Sequence, residues 1–178
     1  MTDIVKRIDA LDGLIKDLLL FARPPQLRRA SVDLVPLVTM TADLICRDPS
    51  LKNLEVDVAG TAPPVLADAE MLKIVFQNLL VNSAHAMHGH GKIDVAIGTI
   101  DGSCQIAFTD TGPGIPPEIR DKIFTPFFTT KSRGSGLGLA TAKRIVEAHQ
   151  GELRVECPDS GGTRVTVRLP TQAADSSR

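Results

Sequence analysis

A chain of 178 residues has room for one ordinary domain and a short appendage, and an apolar fraction of 43% against 23% charged residues supplies a core and excludes wholesale disorder. Twenty Lys plus Arg against 21 Asp plus Glu leave a formal net charge of −1, which excludes attachment to nucleic acid or anionic lipid by bulk charge. With no Trp, no Tyr and six Phe there is no stacking platform for single-stranded nucleic acid. Cys46, Cys104 and Cys157 are scattered, form neither a zinc pattern nor a disulfide framework, and point to a reducing compartment as small core or near-surface residues. No apolar run approaches the ~20 residues that cross a bilayer, and no signal-peptide pattern opens the chain.

The spacing of Ile4, Ile8, Leu11, Ile15 and Leu18 predicts a helix over residues 1–22, widened by Val5, Leu14, Leu19 and Leu20 into the stripe of a bundle or dimer helix and stopped at Pro24-Pro25; a core helix of the following domain is the plainer reading. Arg28 and Arg29 read as a solvated connector. Ser31 or Asp33 can cap a helix running to about Cys46. Leu54 to Val58 alternates as a strand, closed by Gly60 and Pro63-Pro64. Asp68 is a plausible N-cap for a helix with Met71, Leu72, Val75, Leu79 and Ala86 at helical spacing, running into the His88 to Gly91 turn. Strands over Lys92 to Thr99 and Ser103 to Thr109 are joined by Asp101-Gly102, a tight-hairpin pair. A long loop follows, then a helix from about Leu137 to His149 with Gly151 as its C-terminal glycine. Strands over Glu152 to Glu156 and Thr163 to Leu169 close the fold, and residues 171–178 form a flexible tail. The economical architecture is α+β, a two-layer sandwich with helices on one face of a mixed, mostly antiparallel sheet, preceded by one bundle helix.

The loop from Asp110 to Gly138 is too long for a simple connection, and loops of that length in compact domains are commonly lids or binding segments. It opens with Asp110-Thr111-Gly112-Pro113-Gly114-Ile115, where a carboxylate at a strand exit can accept from an exocyclic amine. It closes with Gly134-Ser135-Gly136-Leu137-Gly138-Leu139 at a helix start, where free N–H groups and the dipole suit an anion. Lys131 and Arg133 precede those glycines and add positive charge. The spacing is neither a P-loop nor a dinucleotide fingerprint. On the preceding helix, Asn78 and Asn82 are four apart and share a face, and an asparagine amide oxygen is a hard neutral ligand suited to Mg²⁺ that also holds phosphate oxygens. Two surface asparagines are the plainer reading of that pair taken alone. His85, His88 and His90 have chelating spacing, although turn histidines are commonly solvated.

In order, the segments Gln77 to Ala86, Asp110 to Ile115, Ile123-Phe124-Thr125-Pro126-Phe127-Phe128 and Gly134 to Leu139 are similar to the N box, first glycine box, F box and second glycine box of the catalytic ATP-binding domain of sensor histidine kinases. That domain is a branch of the Bergerat-fold (GHKL) ATPases, which also include gyrase and the heat-shock chaperone ATPases. Leu19 to Pro24 further resembles the end of the dimerisation domain in nitrogen-regulation-type kinases. The resemblance implies ATP and Mg²⁺ as cofactors. Asp110 would bond the adenine amine, Gly112 and Gly114 would shape its pocket, and Thr163 would stand near the base. Asn82 would be the Mg²⁺ ligand, with Asn78 and His85 along the same helix beside the phosphates, although packing is the competing role for His85. Phe124 would anchor a lid, Lys131 would reach the terminal phosphates, and Gly134, Ser135, Gly136, Leu137 and Gly138 would fold over them.

The resemblance also divides the chain into 1–26, a partial dimerisation domain with its second helix only, and 27–170, the catalytic domain, with a tail over 171–178. Gyrase-type members carry a water-activating glutamate where this chain has Asn78, which cannot act as a general base, and that favours kinase over ATPase. Asn78, Asn82 and Lys131 are then the catalytic candidates. No histidine precedes His85, so the phosphoacceptor histidine is expected on a separate domain of a longer parent; a short protein acting in trans is the other reading. Partners implied are that domain, a response regulator, and a second copy through helix 2–23, in the cytoplasm, with no nucleic acid and no direct membrane contact. A degenerate, non-catalytic nucleotide-binding module and a protein-serine kinase of the same fold are the alternatives.

Overall fold

A computed structural model describes Leu18 and residues 26–51, 53–131, 134–159 and 161–171. The helix expected over residues 1–22, apart from Leu18, lies outside the described residues, as do Arg133 and the expected tail beyond Thr171. In chain order the elements are β1 (Ala30–Val32), α1 (Leu34–Cys46), β2 (Asn53–Gly60), β3 (Val65–Ala67), α2 (Ala69–Ala86), β4 (His90–Ile100), β5 (Ser103–Asp110), α3 (Gly138–Ala148), β6 (Glu152–Glu156) and β7 (Thr163–Pro170). Short 3-10 turns lie at Pro49–Leu51 and Pro117–Lys122.

The main sheet has the order β2-β4-β5-β7-β6. The β2–β4 pair is parallel and the other three are antiparallel. Its central hairpin follows from two residues: Ile100 pairs with Ser103, and Asp101 and Gly102 take φ of 52° and 72°, the left-handed pair that matches the twist of a two-residue hairpin. Alternate residues along the strands, Ile93, Val95 and Ile97, then Ile106 and Phe108, then Val165, Val167 and Leu169, are buried in one core with the helices. From α2, Leu72, Val75, Phe76, Leu79 and Leu80 enter that core, and the Phe76 and Phe108 rings stand 5.7 Å apart. The architecture is the expected α+β sandwich, with helices on one face of a mostly antiparallel sheet. No helix among the described residues is long and apolar enough to cross a membrane.

Three local details go beyond what the sequence pattern predicts. Of the two candidate caps for α1, Asp33 serves, accepting from Val35 N, while Ser31 belongs to β1. That strand pairs antiparallel with β3 in a separate two-stranded sheet, and neither segment is long enough to show alternation. At the end of α3 the left-handed residue is Gln150 (φ 61°), not Gly151. Gln150 N bonds Glu147 O and Gly151 N bonds Val146 O, which is a Schellman closure. Gly151 is required because a Cβ there would collide with the Arg168 carbonyl of β7.

Candidate functional site

Asp110 is the last residue of β5 and is 4% exposed. Its Oδ1 accepts from Gly112 N and from Thr163 N, both at 3.0 Å. Both bonds fall on one oxygen, which fixes the carboxylate and leaves Oδ2 for a further donor. Two glycines press on this corner. At Gly162 (φ 80°) a Cβ would collide with the Asp110 carbonyl, and at Gly114 (φ 78°) a Cβ would stand 3.1 Å from the Gly162 carbonyl. Thr111 Oγ1 reaches Met87 Sδ at 3.3 Å and backs the same corner.

The cavity in front of Asp110 has a volume of about 550 Å³. One wall is the face of α2 that carries Asn78, Asn82 and His85, which follows from their i, i+4 and i+7 spacing. Across the cavity, residues 128–131 and 134–136 face it. Lys131 Nζ donates to Asn82 Oδ1 at 3.0 Å, and Thr129 Oγ1 accepts from Lys131 N at 3.1 Å. Gly138 opens α3 so close to α2 that a Cβ there would stand 2.8 Å from Asn78 Oδ1. Gly136 (φ 67°) lies under Phe127, whose N–H bonds the Gly136 carbonyl at 3.0 Å and whose own φ is 65°. A Cβ at Gly136 would collide with that backbone.

The cavity's cation is partly desolvated. Burial pulls the Lys131 ammonium below its ordinary pKa, which leaves it readily satisfied by an anion. His85 is also lowered, first by burial and then by the Lys131 charge, with Asp48 opposing. Asn78 and Asn82 offer neutral oxygens, so a cation between them and a ligand would take most of its coordination from water and phosphate. That is the habit of Mg²⁺, and the donor set fits it.

Of the residues expected at the site, Asn78, Asn82, His85, Asp110, Gly114 and Lys131 line the cavity, as do Gly134, Ser135, Gly136, Gly138 and Thr163. Three stand behind it. Gly112 acts through its bond to Asp110; Phe124 packs against the core, with Lys143 Nζ 5.0 Å from its ring centroid; Leu137 is fully buried while its N–H bonds Ser135 Oγ. Sequence reasoning missed Gly162, in the connection between β6 and β7, and Lys143, which had no motif. It also missed Cys157, whose thiol meets both the N–H and the carbonyl of Ile115 at the loop's start. Cys46 is exposed and Cys104 is buried. In the histidine turn, His90 Nδ1 engages the His88 carbonyl at 2.8 Å. Among the described residues no three His, Cys, Asp or Glu side chains are grouped as a metal site.

A cavity ringed by a buried carboxylate, paired asparagines and a glycine-rich helix start, on this sheet topology, defines a nucleotide-binding domain of the Bergerat class. Residues 67–173 match the family model described as histidine kinase-, DNA gyrase B- and HSP90-like ATPase, and the chain belongs to that family. Curated relatives that it matches are named sensor or signal-transduction histidine kinases. The chain is 34% identical over 169 residues to the sensor histidine kinase ZraS of Escherichia coli K12, covering 94% of this chain and 36% of ZraS. It is 37% identical over 174 residues to the histidine-protein kinase AtoS of the same strain, covering 94% and 28%. The chain thus spans about a third of the length of these curated relatives. Among solved structures, full-length ShkA in complex with AMPPNP superposes with a TM-score of 0.83 at 29% identity, over 95% of this chain and 37% of ShkA. The catalytic domain of histidine kinase ThkA superposes at 0.72 with 28% identity, over 81% and 96%. ThkA has also been solved with the response regulator TrrA, at 0.76 and 25% identity, over 95% and 49%.

Proposed function

We propose that this chain binds Mg-ATP in the cavity and transfers the γ-phosphoryl group to a histidine on a dimerisation domain, for onward passage to a response regulator. Asp110 Oδ2 accepts from the adenine amine, with Gly112, Gly114 and Thr163 holding the carboxylate and the wall beside the base. The AMPPNP complex of ShkA and the TrrA complex of ThkA support nucleotide and regulator as ligands. Mg²⁺, held through Asn82 with Asn78 beside it, would neutralise phosphate charge and hold the phosphate oxygens. Lys131 exchanges its bond to Asn82 for the terminal phosphate, and the glycines from Gly134 to Gly138 let the loop follow. In the transfer, the bond from phosphorus to the β-phosphate bridging oxygen breaks, a bond to an imidazole nitrogen forms, and ADP leaves. Residues 1–26 would belong to the dimerisation domain and pair with a second copy through helix 2–23. Residues 27–170 would be the catalytic unit, residues 171–178 a tail, and the compartment the cytoplasm.

The observation that carries this reading is the pair of neutral amides on α2 facing Lys131. Asn78 offers no carboxylate to activate water, so the nucleophile must come from elsewhere. The test mixes the chain with labelled ATP, Mg²⁺ and the separately produced histidine-bearing domain of the parent kinase. Acid-labile label on that domain is the expected result. Acid-stable label would mean a serine kinase, and nucleotide binding without transfer would mean a non-catalytic module.

A further inference from the structure

Away from the cavity, the first turn of α2 and the last turn of α3 meet at a buried histidine. His149 is 3% exposed and Asp68 is 7% exposed. The imidazole Nε2 accepts from Asp68 N at 3.0 Å, and Nδ1 lies 2.7 Å from the Ile145 carbonyl. A backbone N–H can only donate, so Nε2 carries no proton and Nδ1–H donates to Ile145, which fixes the neutral tautomer. Burial lowers the His149 pKa, with the Ile145 bond opposing and Arg29 and Asp68 acting in opposite senses, which agrees with the neutral ring that the two bonds require. Asp68 completes the junction: Oδ1 caps α2 by accepting from Glu70 N and Met71 N, and Oδ2 accepts from Arg28 N at 2.8 Å. The Arg29 guanidinium donates to the Ala148 carbonyl at 2.9 Å, at the negative end of α3. The connector expected to be merely solvated is therefore bound to both helices.

The two helices that meet here bear the phosphate side of the site at their other ends. Asn82 lies about 21 Å along α2 from Asp68, and Gly138 about 17 Å along α3 from His149, at 1.5 Å per residue. Over such lengths a small change of crossing angle at the junction becomes an ångström-scale displacement at the cavity, where Gly138 already leaves no room beside Asn78. An apolar side chain of similar volume at 149 would fill the space and leave the Asp68 N–H with no acceptor. We propose that His149 is a positioning residue for the nucleotide site: by joining the start of α2 to the end of α3 it fixes the angle between them, and so the distance of Asn78 and Asn82 from the glycine loop. This rests on the cavity being a nucleotide site, as argued above.

The experiment measures Mg-ATP and adenosine affinity by calorimetry, well below every melting midpoint, for the wild type, His149→Leu and His149→Gln. Glutamine can accept from Asp68 N through its amide oxygen and still donate to a carbonyl. The expected result for His149→Leu is Mg-ATP binding weakened about tenfold through the displaced phosphate-side groups, with adenosine affinity nearly unchanged. His149→Gln restores most of the loss. Equal loss of both ligands, unchanged binding in His149→Leu, or a His149→Gln variant as weak as His149→Leu would each overturn the positioning role. If His149→Leu does not fold, His149→Asn, too short to reach Asp68 N, takes its place in the comparison. A wild-type chain that binds no ATP would instead overturn the functional reading itself, along with the role that rests on it.

Discussion

Asp110→Asn changes the hydrogen-bonding sense of one atom in the site while leaving its scaffold in place. In the native chain Oδ1 holds Gly112 N and Thr163 N at 3.0 Å each, and Oδ2 is left over. The asparagine carbonyl oxygen can take over both backbone bonds, so the cost to the fold is the weakening of two charge-assisted bonds to neutral ones, about 1–2 kcal/mol in all. The group presented to the ligand, however, turns from an ionised acceptor into an NH₂ donor. Against an adenine amine this removes a charge-assisted bond worth about 1.5–3 kcal/mol, or roughly 10- to 100-fold in Kd. Calorimetry with ATP and with inosine triphosphate, whose 6-position is a carbonyl, isolates that term. The wild type should prefer ATP by about that factor, and Asp110→Asn should lose the preference or invert it, since its amide can donate to the carbonyl. A folded Asp110→Asn variant that still prefers ATP as the wild type does would refute the assignment. Equal loss of both nucleotides would mean that the carboxylate acts only through the wall it supports.

Other perturbations read other parts of the site. Lys131→Met should weaken ATP about 10- to 100-fold in calorimetry while leaving adenosine affinity unchanged, because the ammonium has only phosphate to meet. Gly162→Ala forces a side chain to φ 80° against the Asp110 carbonyl. The backbone term alone is about 1–2 kcal/mol, a drop of several degrees in Tm by calorimetric scanning, and nucleotide affinity should fall with it as Asp110 shifts. His149 has a folded pKa below its unfolded one, so the unfolded chain binds the proton first as the solution is acidified. Its contribution to stability should be complete above the ordinary imidazole range and fall as pH drops through about 6.5 toward the lowered value. His85 shifts in the same direction, so the His149 share is the difference in urea midpoint between wild type and His149→Gln, which should narrow as pH falls.

What could be read from the sequence is what neighbouring residues decide among themselves. The Asp68 cap, the Asp101-Gly102 turn and the shared face of Asn78 and Asn82 all depend on residues within one turn of helix or hairpin, and each stands where expected. The bonds that make these parts a site span much longer stretches of chain: 53 residues from Asp110 to Thr163 and 81 from Asp68 to His149. Nothing local marks such partners. Gly162 therefore carries no signal of its own, Arg29 reads as solvated, and Gly151 reads only as the helix's C-terminal glycine, because the β7 carbonyl that demands a glycine there lies far along the chain.

Gly138 shows how the two scales connect. In sequence it is the last glycine of a loop, valued for flexibility. In the fold it is the point where α3 comes up against the Asn78 amide, so its missing Cβ is spacing rather than freedom. The N box and the second glycine box are thus two sides of one helix contact, and the angle of that contact is held at its far end by His149. The same junction binds Arg28 and Arg29, so the connector leaving the N-terminal segment cannot shift without loading both helices.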